Sequence, residues 1–146
     1  MSLMAWWRRL DAWMIRVMRV HAIRVLRISL GAVFVWFGLL KVLGESPVAE
    51  LVARTVYWIS PDRFIPLLGL WEVAVGLGLL FGAALRLTLF LFWLQMAGTF
   101  LVLIVRPDVS FSRGNPFLLT MEGEFVIKNL VLIASGLVIG STVERS

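Results

Sequence analysis

Four apolar runs, at residues 28–43, 65–82, 87–105 and 125–143, dominate the sequence. Each approaches the roughly 20 residues that an α-helix needs to cross a hydrocarbon core of about 30 Å. A chain in lipid must satisfy every backbone N–H and C=O internally, so segments of this length point to helices. The sequence therefore predicts an all-α membrane protein: a four-transmembrane-helix bundle preceded by an amphipathic interfacial helix. Only 16% of the 146 residues are charged, against about 25% in a soluble domain.

The second run breaks its own pattern. GLWEVAVGLGLLFG carries Glu72 where a hydrophobic residue is expected. An intramembrane carboxylate is costly unless it is paired, protonated or facing a wet cavity. Lys41, in GLLKVLG at the end of the first run, is one candidate partner, and Lys128 in EFVIKNLVL is another. Lys41 also has a plainer reading, as a side chain that snorkels to the interface. Gln95 lies near the middle of the third run, where an amide usually bonds across helices.

Residues 1–27 read as a separate unit, followed by one domain over residues 28–143. Arg8, Arg9, Arg16, Arg19, Arg24 and Arg27 fall on one side of a helical wheel, with Leu10, Met14, Val17, Met18 and Val25 on the other. This is the pattern of a basic amphipathic helix lying in the membrane interface. Trp6, Trp7 and Trp13 suit the headgroup level. The recurring charges and the missing small-residue cleavage site argue against a signal peptide. His21, the single histidine, reads as interfacial.

Between the first two runs, Pro47 and Pro61 bracket a short helix lying on the outer surface. Glu50 and Arg54 sit at i,i+4 on its wet face, and Tyr57 and Trp58 belong to an aromatic belt. Between the third and fourth runs, RPDVSFSRGNPFLLTMEG forms a polar loop. Its Phe117 to Leu119 dip either rests on the bilayer or covers a cavity. The spacing of Gly31, Gly38 and Gly44 repeats in Gly69, Gly76 and Gly82.

Positive residues stay on the cytoplasmic side of a membrane. With both termini cytoplasmic, the inner side has eight Lys and Arg, including Arg86 and Arg145, and the outer side has six balanced by six acids. That orientation implies a multi-pass protein of the inner, cytoplasmic membrane. It sets Glu72 about 10 Å deep from the outer face at 1.5 Å per residue. Lys41, Lys128 and Asn129 come to the same outer half. The intramembrane polar cluster is therefore read as Lys41, Glu72, Gln95, Glu124, Lys128 and Asn129. Two readings of this cluster stay open. It either fixes helix register as a structural ion pair, or it walls a pocket for a quinone headgroup, with lysine or glutamine donating and Glu72 passing a proton.

The chain has no cysteine and one histidine. That removes disulfides, thiol catalysis and cysteine-bound zinc or iron–sulfur clusters, and leaves no His pair for haem. No metal site, catalytic residue or intrinsic cofactor is assigned, and any redox cofactor, quinone included, has to be borrowed. Nucleotide-binding and nucleophile-elbow fingerprints are absent, and the positive charge reads as topology, not nucleic-acid binding.

Several short motifs resemble the DoxX-like family of small four-helix integral membrane proteins. They are G-L-L-K at Gly38 to Lys41, W-E-x-x-x-G at Trp71, Glu72 and Gly76, and K-N-L-x-L at Lys128 to Leu132. The resemblance covers residues 24–143. It implies a membrane subunit or anchor of a redox complex, quinone-linked or engaged in oxidative-stress defence, because the family takes its name from a subunit associated with thiosulfate:quinone oxidoreductase. It implies a redox partner protein or a homo-oligomer in the lipid bilayer, and assigns no catalytic residue here. The alternatives are a small membrane transporter and a non-catalytic membrane scaffold.

Overall fold

Helix breakers set the limits of nearly every element. In a computed structural model, which describes residues 2–144, the first helix α1 runs unbroken over Leu3–Val42. Ser2 caps it by accepting from the Ala5 N–H at 3.3 Å. No glycine or proline occurs before Gly31, so nothing interrupts the backbone ladder at residue 27. The expected boundary between an interfacial helix and a first span is therefore absent as a break in structure. At 1.5 Å per residue, 40 residues extend about 60 Å, twice the hydrocarbon thickness. Residues 3–25 of α1 are almost entirely exposed, and the burial begins near Leu26.

A short helix α2, Ala49–Thr55, follows, then α3, Pro61–Phe81. Pro61 opens α3 instead of closing α2. It occupies the first turn, where a missing N–H costs nothing. The second span thus starts four residues earlier than the hydropathy suggested. Gly82 ends it in the left-handed conformation at φ 65°. Helix α4 covers Leu85–Val105. The polar loop then folds on itself through a short helix α5, Pro107–Ser110, a 3-10 turn at Ser112–Gly114 and one antiparallel bridge between Phe111 and Leu119. Helix α6, Met121–Ile127, is capped by Thr120, whose hydroxyl also donates to the Val109 carbonyl. A turn at Lys128 separates it from α7, Asn129–Gly140. The Asn129 amide donates to the carbonyls of Phe125 and Val126 at 3.0 and 3.2 Å, and this competition with the ladder accounts for the irregularity in the fourth run.

Among the described residues the regular structure is helical, and four segments are long and apolar enough to cross a membrane: α1, α3, α4 and the stretch Met121–Gly140. α1 packs on α3, α3 on α4, α4 on α7 and α7 on α1, with α1 against α3 the most extensive contact. One apolar cluster joins Leu30, Phe34, Val75, Leu79, Phe92 and Ile139 from all four. A second joins Leu51 of α2 to Val102 and Val126.

The glycine spacing explains the α1–α3 contact. Gly38 faces Gly69 and Gly31 faces Gly76, in antiparallel register. A Cβ added at Gly38 would stand 2.5 Å from the Gly69 carbonyl oxygen, and one at Gly76 would stand 2.7 Å from that of Gly31. Seven residues are two turns, so the facing pairs recur on one seam. Small residues are what membrane helices use to bring backbones into contact.

Candidate functional site

One turn beyond Gly38 on α1 comes Lys41, and one turn beyond Gly69 on α3 comes Glu72. In an antiparallel pair these two steps point opposite ways and set the residues about 9 Å apart along the axis. The close seam, with Lys41 Cβ beside Gly69, lets the long lysine side chain bridge them. Lys41 Nζ lies 2.8 Å from Glu72 Oε2, and each residue is only 6% exposed. This excludes snorkelling for Lys41 and selects it over Lys128 as the partner. Gln95 of α4 completes the group by donating from Nε2 to Glu72 Oε1 at 2.6 Å. Both carboxylate oxygens are thus occupied, each by a different helix.

Trp71 supports this arrangement. Its indole N–H donates to the Leu91 carbonyl at 3.2 Å. Leu91 is one helical turn before Gln95, so the residue beside Glu72 fastens α3 to α4 at the level where the amide must reach across. Thr99, one turn further along α4, donates its hydroxyl to the Gln95 carbonyl at 3.0 Å.

The other three sequence candidates lie apart from this triad. Glu124 and Lys128 pair with each other at 3.9 Å, with side chains 59% and 77% exposed. The buried face of the fourth span holds Gly123, Val126, Asn129, Ser135, Gly136 and Ile139. At 100° per residue, positions 124 and 128 lie roughly 160–200° from Val126, which turns them off that face. Asn129 is buried but spends its amide protons on its own helix. The predicted cluster of six is therefore a triad of three, an exposed ion pair and a helix-bound asparagine.

The triad stands in the wall of a cavity of about 630 Å³. Most of the wall is apolar. Phe34 and Phe37 of α1, Trp71 of α3, and Met96 and Val102 of α4 contribute to it. Helix α2 closes one side with Leu51 and Thr55, both buried, and Trp58 follows from the stretch after it. The sequence reading put α2 on the outer surface. In the structure its apolar face covers the cavity, and only Glu50 and Arg54, ion-paired, keep to the wet side. No residue of 106–120 reaches the cavity wall, so the Phe117 to Leu119 dip does not cover it. Lys128 and Asn129 add polar points to the same wall.

Of the wall threonines, Thr55 went unnoticed in the sequence, whereas Thr99 shares the packed face of Gln95 that the sequence indicates. Each bonds the carbonyl four residues back, at 2.7 and 3.0 Å, a habit that leaves no mark in hydropathy. Among the described residues no group of three or more His, Asp or Glu is placed to hold a metal ion. A volume of this size and an apolar wall with few polar groups suit a drug-sized lipophilic molecule whose polar end meets the triad. Comparison with protein-family models, curated proteins and solved structures gives no match.

Proposed function

We propose that the chain is a membrane subunit or anchor of a quinone-linked redox complex, of the DoxX-like kind, which seats the polar head of a lipophile against Lys41, Glu72 and Gln95. The observation that carries this reading is a buried ion pair, joined by the half-buried Gln95, in the wall of an otherwise apolar cavity. Burying both members of an ion pair sacrifices hydration that their attraction does not fully return. A site that uses the charges offsets that cost through function. A quinone ring has an apolar body and polar oxygens at its edge, so it matches both parts of the wall. The chain has no thiol of its own, so electrons would come from a partner protein.

In this reading the four spans form a bundle in the inner membrane with both termini cytoplasmic. The basic segment of α1 then meets anionic headgroups on the cytoplasmic side, with Trp6, Trp7 and Trp13 at the interface. The Arg-rich composition and the exposure of that segment support this placement.

One observation favours a second reading, a scaffold. Both Glu72 oxygens are satisfied within the protein, as a purely structural register lock requires. Native mass spectrometry after gentle extraction separates the two. A co-purifying redox protein or a quinone-sized adduct supports the redox subunit. Protein with phospholipid alone supports the scaffold.

A further inference from the structure

Arg27 differs from the other arginines of α1. Arg8, Arg9, Arg16, Arg19 and Arg24 are exposed, whereas Arg27 is half-buried where α1 meets the end of α3. Its guanidinium lies against Gly82, the residue that ends α3. A Cβ at Gly82 would collide with Arg27 Nη1 and stand 3.1 Å from Cζ. Glycine therefore serves the close approach as well as the left-handed turn. Nε is enclosed and has no hydrogen-bond partner. Nη1 and Nη2 are not enclosed, and among the described residues neither has a hydrogen-bonding or ion-pair partner. The guanidinium is thus held by its inner edge, with its outer edge accessible and unpaired. A partly desolvated charge in that state calls for an anion from outside the chain.

The level of Arg27 decides which anion. α3 ends at Phe81 and α4 begins at Leu85, so the turn between them marks the membrane–water boundary, where lipid phosphates lie. Arg86, in the first turn of α4, donates to the Glu144 carbonyl at 2.5 Å and keeps its other N–H groups. Arg24 stands one turn before Arg27 on α1. None of these three arginines belongs to an ion pair among the described residues. We propose that Arg27 seats the phosphate of one anionic phospholipid at this end of the bundle, with Arg24 and Arg86 favouring an anionic head over a zwitterionic one. Nη1 and Nη2 form the fork that fits two phosphate oxygens. A zwitterionic head brings its own ammonium toward the same guanidinium groups and loses part of the attraction. The site is independent of what the cavity holds. Fourteen residues, about 21 Å along α1, separate Arg27 from Lys41.

The test titrates the full chain in detergent with dioleoylphosphatidylglycerol or dioleoylphosphatidylcholine and counts bound lipid by native mass spectrometry. One phosphatidylglycerol should bind about tenfold tighter than phosphatidylcholine, the scale of a charge-assisted hydrogen bond. Arg27→Gln should remove most of that preference. Arg9→Gln deletes the same charge about 27 Å away along α1, and should retain it. Gly82→Ala leaves every charge in place but drives a methyl group into the guanidinium, and should bind as Arg27→Gln does. Equal binding of the two lipids to the wild type, a comparison that needs no variant, overturns the proposal. Equal losses in Arg27→Gln and Arg9→Gln also overturn it, because diffuse attraction to the basic helix then replaces a seat. Full preference in a folded Gly82→Ala chain overturns the seat on Gly82. Displacement of phosphatidylglycerol by inorganic phosphate, but not by chloride at equal ionic strength, assigns the site to the free anion and overturns the lipid.

Discussion

Lys41 and Glu72 meet at 2.8 Å because Gly38 and Gly69, one turn before each of them, let α1 and α3 touch backbone to backbone. The ion pair and the glycine seam are two parts of one device. The seam sets the distance between the helix axes, and the pair, reaching about 9 Å along them, ties α1 to α3 across the register. A slide of one turn that lengthens this offset would add about 5.4 Å, separate the charges and leave both unpaired in a poorly solvated place.

The energetics of that pair are asymmetric. Removing one partner strands the other charge, at about 3–5 kcal/mol for a buried pair. Lys41→Met and Glu72→Met should therefore each lower stability strongly, measured as loss of helicity on titration with a denaturing detergent. The double variant should recover most of the loss, short by about 1 kcal/mol for the hydrogen bond that Gln95 no longer makes. Additive losses in the double variant would show that the two charges are not coupled.

The seam itself makes a second prediction. A methyl group at Gly38 meets the Gly69 carbonyl oxygen, a backbone atom that cannot rotate away. The axes of α1 and α3 must move apart, at about 1–3 kcal/mol for a forced core insertion. Gly38→Ala should destabilise the chain by that amount and also abolish most of the coupling between Lys41 and Glu72 in a double-mutant cycle. Unchanged coupling would mean that the pair holds the helices without the seam.

Outside the membrane spans, Arg106 donates to both oxygens of Asp108 at 3.0 and 2.7 Å. The guanidinium hydrogen bond holds the Asp108 carboxyl below its usual value, while that of Arg106 is raised by the same bond. Because the folded-state pKa of Asp108 is lowered, the contribution to stability is present above the unfolded value of about 3.9. It is lost as pH falls through the lower folded value. Labelling the three aspartates, Asp11, Asp62 and Asp108, for carboxyl NMR should show Asp108 titrating below the ordinary range. Arg106→Gln should return it to that range. Titration of Asp108 near 3.9 in the wild type would remove the interaction.

Much of the membrane character was legible because it rests on composition over long windows. Four apolar stretches suffice to mark four helices, and Glu72 announced itself by standing alone among hydrophobic residues. The repeated glycine spacing was also visible, but its meaning was not. A seven-residue interval in two segments becomes a contact only when the segments are known to lie antiparallel and level. Glu124, which does not reach the cavity wall, illustrates the opposite error. Depth along a helix can be counted from sequence, but rotation about its axis depends on which face the neighbours bury, and Val126 and Asn129 took that face. The unbroken α1 was missed for a related reason. A change from amphipathic to apolar composition marks a change of surroundings, not a break in the backbone.

The cavity can be tested without disturbing the triad. Gly98 of α4 lies in its wall, and a Cβ built there meets no atom within 4 Å. A leucine at this position can therefore extend into open space, and it removes the roughly 1 kcal/mol by which glycine disfavours a helix interior. Gly98→Leu should keep or slightly raise stability while lowering lipophile binding at least tenfold, because the side chain occupies volume that the ligand needs. The two readouts separate the explanations. Lost binding with intact stability locates the ligand in this cavity. Unchanged binding would place it elsewhere and leave Lys41, Glu72 and Gln95 as a register lock alone.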